Sequence, residues 1–196
     1  MSPVLARRGF LLSGCGLVLA ARSADAREVA GVRFEERLVQ PASRAELRLA
    51  GAGVFRFLLL RYYACGLYLA ADAAGRAPLE RDAPRRVAMV MLRTVWSWEF
   101  LWGLDRGLAD NESPAQQASL RESIDALRAA IRAIGTLSRG ATVAIDYAPG
   151  QGTRLLVDGA ERMAALGGKA FNDLLLRVWI GERPLDPGLK EALLGG

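Results

Sequence analysis

Apolar and polar positions alternate from Val29 to Leu38, through Val32, Phe34, Glu36 and Leu38, the two-residue period of a strand with one buried face. Leu47 and Leu49 mark a second short strand. Gly51-Ala52-Gly53 then reads as a tight turn opening onto a strand-forming run that closes on Gly66-Leu67-Tyr68-Leu69. The stretch from Ala71 to Pro84 is small, charged and punctuated by proline, so a surface connection is expected there. Arg86 to Arg93 forms a further strand, with Val87, Met89 and Met91 on one face.

The period changes near Thr94. Trp98, Leu101, Trp102, Leu104 and Leu108 recur at helical spacing, and Asp110-Asn111 ends that run. A second helix opens at Ser113-Pro114, where Ser113 caps, Pro114 takes the tolerated first position and Gln116 completes a capping box. Leu120, Ile124, Leu127, Ile131 and Ile134 make its apolar stripe, and Gly135 stops it. Two strands return at 141–147 and 153–157, followed by an Asp158-Gly159 turn. A helix over 169–179 turns Phe171, Leu174, Leu175 and Val178 inward, and a last short helix begins at Asp186-Pro187. This order predicts an α+β domain, an antiparallel sheet with helices packed on one face.

At 196 residues, 52% of them hydrophobic, the chain makes one domain with a sizeable core, and it lacks the repeated long apolar spans of a polytopic membrane protein. It contains no histidine, which removes His-based metal sites, Ser-His-Asp and Cys-His constellations and the usual general base. No CxxC, P-loop or dinucleotide fingerprint is present, so no cofactor and no metal are expected. The net charge of +5 is scattered rather than clustered, which argues against nucleic acid as a partner.

Residues 1–26 read as an export signal, leaving 27–196 as the mature domain. Arg7-Arg8-Gly9-Phe10-Leu11-Leu12 resembles a twin-arginine leader, and Ala24-Asp25-Ala26 is a small-x-small cleavage site. Leu12-Ser13-Gly14-Cys15 also matches a lipobox, which would leave Cys15 acylated. The apolar run, however, continues to Ala21, past the point where a lipobox ends it. An uncleaved anchor helix is the third reading. The expectation is a periplasmic protein that meets a membrane only if its leader is retained or acylated at Cys15. Cleavage would leave Cys65 as the one thiol, with no intrachain disulfide.

The strand-forming run carries Arg56 and Arg61 among aromatic and aliphatic residues. A guanidinium beside an apolar wall implies a pocket for a largely apolar molecule with one anionic or oxygen-rich end. Strict alternation puts Phe55, Phe57, Leu59, Arg61, Tyr63 and Cys65 on one face, with Arg56, Tyr62 and Tyr68 on the other. Arg93, beside Trp96, Trp98 and Trp102, is a further candidate. Competing readings are arginines snorkelling from a sheet edge, Tyr63 as a satisfied core tyrosine, and tryptophans packing helix on sheet. Glu99 and Asp105 read as solvated, while Asp146 and Tyr147 are within reach of a pocket mouth.

With these elements in order, the chain resembles the chalcone isomerase-like family, in its bacterial exported branch. The resemblance rests on Gly51-Ala52-Gly53, Gly66-Leu67-Tyr68-Leu69 and Ser113-Pro114 opening a helix that stops at Gly135. Gly140-Ala141-Thr142-Val143, Trp179-Ile180-Gly181-Glu182, Pro184, Asp186-Pro187 and Leu189-Lys190 complete it. It implies an open-faced sandwich of a large antiparallel sheet and a helical layer. It also implies one of two activities, both without cofactor: closure of a chalcone to a flavanone, or binding of a fatty acid. In the enzymes, an arginine two positions after the Gly-Ala-Gly segment stabilises a developing oxyanion. Here that position is Phe55, with Arg56 one step on; the strand threonine is replaced by Tyr63 and the C-terminal threonine by Val178. Fatty-acid-binding members carry a tyrosine at the position of Tyr63, paired with the arginine. The expectation is therefore a non-catalytic module binding a small amphipathic, fatty-acid-like ligand through Arg56, Arg61, Tyr63 and Arg93. The alternative is a cofactor-free isomerase (intramolecular lyase).

Overall fold

The computed structural model describes residues 26–71 and 78–195; the expected leader up to Asp25, with Cys15, lies outside the described residues. A small hairpin comes first, β1 (Ala26–Val29) and β2 (Val32–Glu35). The main sheet has seven antiparallel strands: β3 (Arg37–Val39), β4 (Glu46–Phe57), β5 (Leu60–Ala70), β6 (Arg85–Met91), β9 (Thr142–Ala148), β10 (Gly152–Val157) and β11 (Ala160–Leu166). Their spatial order is β11-β10-β9-β6-β5-β4-β3. Between β6 and β9 come β7 (Val95–Trp96), α1 (Ser97–Asn111), α2 (Pro114–Ser119), α3 (Arg121–Ile134) and β8 (Thr136–Leu137). The chain ends in α4 (Lys169–Ile180) and α5 (Pro187–Leu193). The fold is the α+β open-faced sandwich expected from the order of elements, a curled sheet with helices on one face.

Hydrophobic burial fixes this arrangement. Met89, Val143 and Leu155 on the central strands and Phe171, Leu174 and Leu175 of α4 are all almost fully buried. On α3, Ile124, Leu127 and Ile131 form the buried stripe that the periodicity predicts. A short pairing of β7 with β8 ties the start of α1 to the end of α3.

Five local details differ from the pattern reading. Gly51-Ala52-Gly53 is not a turn but the middle of β4. These glycines let α5 seat directly on the strand: a Cβ on Gly51 would lie 2.1 Å from the Ala192 carbonyl oxygen, and one on Gly53 2.7 Å from the Ala192 Cβ. The strand-forming run is not continuous, because the chain reverses at Leu58-Leu59 to make the β4–β5 hairpin. The single helix expected from Ser113 to Gly135 breaks at Leu120 (φ −113°, ψ 14°). Residues 114–119 bury nothing, so no packing holds them in line with α3. The Asp158-Gly159 turn leads into an additional strand, β11, whose mostly exposed residues give no apolar period. Finally, the register of β10 against β11 shifts twice, between Thr153 and Leu155 and again between Leu155 and Leu156.

Asp146 and Tyr147 serve the sheet rather than a pocket mouth. Arg86 grips Asp146 through both carboxylate oxygens at 2.5 and 2.6 Å, and the Tyr147 hydroxyl donates to Asp82 at 2.6 Å. Arg85, also buried, donates to Asn172 on α4 and pairs with Asp173. These pairs satisfy charge inside the sheet–helix contact.

Gly51→Ala is expected to lower stability by about 3 kcal/mol, because α5 must move off the strand. Gly103→Ala, in the interior of α1 with its nearest neighbour at 3.7 Å, is expected to gain up to about 1 kcal/mol. Urea denaturation of both variants checks the contrast.

Candidate functional site

A cavity of about 280 Å³ lies between the sheet and the helices. Phe55 and Phe57 of β4, Tyr62 and Tyr63 of β5, and Ile145 and Leu155 of the central strands form its sheet wall. The opposite wall comes from α1, α3 and α4, including Trp102, Leu127 and Trp179. Phe57, Trp98 and Trp102 line the cavity and are also exposed, so they mark its mouth.

Tyr63 is the polar centre of this wall. Its ring stacks on Phe55 with centroids 4.9 Å apart, and its hydroxyl accepts a hydrogen bond from Trp179 Nε1 at 3.0 Å. Burial, reinforced by the nearby Cys65 thiol, raises its pKa and keeps it a neutral phenol. Among the described residues its own proton has no acceptor, so the hydroxyl is a donor available to an oxygen atom in the cavity.

Of the sequence candidates, Tyr63 lies in the cavity wall, Arg93 at its edge, and Arg56 and Arg61 outside it. The reason is a register shift between Phe55 and Arg56, which leaves Tyr62 as the extra residue. Phe55 faces Tyr63 across the ladder, but Arg56 faces Arg61, so beyond the bulge the alternation inverts. Tyr62 joins the cavity wall, and Arg56 and Arg61 share the opposite, exposed face. The expectation that Arg61 and Tyr63 share a face is corrected by this bulge.

Arg93 is held by two residues of the wall. Its guanidinium carbon sits 4.8 Å over the Tyr62 ring centroid, and its Nη1 is 3.4 Å from Glu99 Oε1. With its side chain 37% exposed, it stands between cavity and solvent. Glu99, read as solvated from its helical position, is only 12% exposed and is the one charged group in the cavity lining. It accepts the Trp96 backbone N–H at 2.9 Å and so caps α1. The sequence carries half of that signal, a glutamate three residues after the cap position, but lacks the usual Ser or Thr at Trp96. Trp96, Trp98 and Trp102 are exposed at least in part rather than buried in helix-on-sheet packing. Trp179, the donor to Tyr63, entered the sequence reading only as the end of a helix and the start of the Trp179-Ile180-Gly181-Glu182 segment behind the family resemblance.

The arrangement can hold an elongated apolar molecule with one oxygen-bearing end. No arginine or lysine lines the cavity; the available cation is at the rim. Among the described residues no cluster of potential metal ligands occurs.

A chalcone isomerase-like family model matches residues 26–195, nearly the whole described fold. The chain belongs to the chalcone isomerase-like family. Among solved structures, the fold is similar to the crystal structure of an Arabidopsis thaliana fatty-acid binding protein. The TM-score is 0.59 at 17% identity, over 82% of this chain and 96% of that one, a likeness of fold. No curated protein sequence matches. Within the family framework, the position that resembles the oxyanion-stabilising arginine is occupied by Phe55, which is packed flat against Tyr63.

Cys65, fully buried on β5, has its thiol pKa raised by desolvation, in the same direction as Tyr63. In the unfolded chain these groups ionise near pH 8.5 and 10, while the native state keeps both protons. The unfolded state then binds fewer protons, so stability falls as pH rises. Urea midpoints are expected to be insensitive to these two groups below about pH 8. Above about pH 8.5 stability should decline by about 1.4 kcal/mol per pH unit, more steeply beyond pH 10, and Cys65→Ala should remove the first limb.

Proposed function

We propose that this protein binds a small amphipathic molecule of the fatty-acid type in the sheet–helix cavity, without transforming it. The observation that carries the reading is the Tyr63 hydroxyl, a neutral donor with no acceptor of its own among the described residues, set in a mostly apolar wall. A carboxylate entering the cavity would accept that proton's hydrogen bond and draw Arg93 from Glu99, while its tail is buried among the aromatics. The similar Arabidopsis structure is that of a fatty-acid binding protein, which agrees with this chemistry. Ring closure of the chalcone type needs a cation aimed at the developing oxyanion, and Phe55 fills that part of the wall. At about 280 Å³ the cavity is at the small end of ligand sites, which favours short tails or tails that emerge at the mouth.

Calorimetric titration with dodecanoic acid, with dodecanol as the uncharged comparison, tests the proposal. Arg93→Gln is expected to weaken dodecanoate about tenfold and leave dodecanol within about twofold. Tyr63→Phe should weaken both, having removed the shared donor. Absence of binding by any saturated acid, or an equal Arg93→Gln effect on acid and alcohol, would refute the carboxylate site.

Export to the periplasm belongs to the same proposal. Its support is the Arg7-Arg8 leader pattern, together with a family match that starts at residue 26. Arg7→Lys with Arg8→Lys is expected to leave the protein in the cytoplasm. The intact mass of the exported form separates cleavage after Ala26 from acylation at Cys15. Unchanged export of the double variant would exclude the twin-arginine route.

A further inference from the structure

The β4–β5 hairpin ends in a way that folding alone does not explain. Its turn is Leu58-Leu59, with Leu58 at φ 55°, where Asn or Gly is the usual choice. Leu58 is 83% exposed, Leu59 99%, and Leu60 beside them half exposed. Three consecutive leucines therefore stand in water at the end of a long hairpin. The patch does not stop there. Phe57 meets Trp102 edge-on at 4.9 Å, and Trp98, 66% exposed, lies on the same cavity mouth, with Trp96 exposed two residues earlier. Contiguous apolar surface of this kind marks an interaction site.

Charge shows which kind. One step behind the leucines, Arg56 and Arg61 face each other across the ladder, both exposed. Among the described residues neither guanidinium has an acidic partner. Two like charges opposed on a hairpin repel each other unless an anionic surface receives both. The hairpin thus joins an aliphatic tip to tryptophans on its cavity face and an arginine pair on the other. A bilayer offers a partner to each: acyl chains, interfacial zone and phosphates.

We propose that the β4–β5 tip and the tryptophans of β7 and α1 form a docking surface for a membrane bearing anionic lipid headgroups. The leucines insert among acyl chains, the tryptophans lie at the headgroup level and Arg56 and Arg61 contact phosphates. The attachment is peripheral: no helix among the described residues is long and apolar enough to cross a membrane. It also lies in the folded domain, whereas the sequence alone points to the leader as the only membrane contact. Because Phe57, Trp98 and Trp102 are shared between the patch and the cavity mouth, docking would place that mouth against the bilayer. An apolar ligand could then pass between lipid and protein without entering water. Docking goes beyond the ligand reading, and vesicles without added fatty acid measure it separately.

The test is co-sedimentation of the full chain with vesicles of phosphatidylcholine, alone or with about one third phosphatidylglycerol. Any contribution from residues 1–25 is common to every variant, so the comparison is between variants. Leu58→Ser with Leu59→Ser is expected to lower partitioning onto anionic vesicles at least tenfold. Arg56→Gln with Arg61→Gln should lower it about 25-fold there and hardly at all on phosphatidylcholine, with the difference shrinking in high salt. All four side chains are exposed, so the variants should fold, and retained dodecanoate binding verifies the cavity. Partitioning unchanged by the leucine pair would overturn the proposal. So would a dimer in light scattering that the leucine substitutions dissolve while vesicle binding stays as in the wild type, which would assign the tip to a second copy of the chain.

Discussion

The structure depends on where side chains are absent. At Gly51 and Gly53 the last helix lies on bare β4 backbone, and at Gly107 α1 closes on α4, where a Cβ would stand 2.7 Å from Val178 Cγ1. The first contact brings α5 onto the sheet, and the second draws α1 against α4 within the helical layer. Elsewhere Phe55, Tyr63, Trp102 and Trp179 are too large and too rigid to let the layers meet. The cavity is the space left between the two kinds of contact. Its walls are therefore set by these side chains and backbone contacts.

Charge follows a matching division. The guanidiniums with demanding roles, Arg85 and Arg86, are used on the sheet to hold Asp173, Asn172 and Asp146, away from the cavity lining. That leaves the cavity almost free of charge, with Glu99 tied to the start of α1 and Arg93 resting on Tyr62. A site built in this way would select by shape and by one hydrogen bond, with the partly exposed Arg93 at its edge. Such chemistry suits holding a ligand better than polarising one.

Most of the architecture was readable from periodicity, because the central strands and the α3 and α4 stripes owe their positions to burial. The shared face of Phe55, Phe57 and Tyr63 was readable too, from the alternation of the strand-forming run. The β4–β5 reversal was not, because Leu58 and Leu59 are not turn formers and nothing in their identity announces a positive φ. The bulge at Tyr62 was equally silent, yet it decides which arginines face the cavity. An error of one residue in register exchanged Arg61 for Tyr62. Exposure of the tryptophans escaped the reading for a related reason: hydrophobic spacing specifies a face, not whether anything covers it.

The sheet is open at both ends, and an unpaired strand edge is a template for further strands. One border, β3, is only three residues long, with Arg37 and Glu46 at its pairing with β4. The other, β11, is thrown out of regular pairing with β10 by two successive irregularities and carries Glu161 and Arg162. Neither β3 nor β11 offers a flat ladder of useful length. Edge-to-edge growth of the kind that begins amyloid-like association is thus discouraged at both of these strands, even though the sheet is never closed into a barrel.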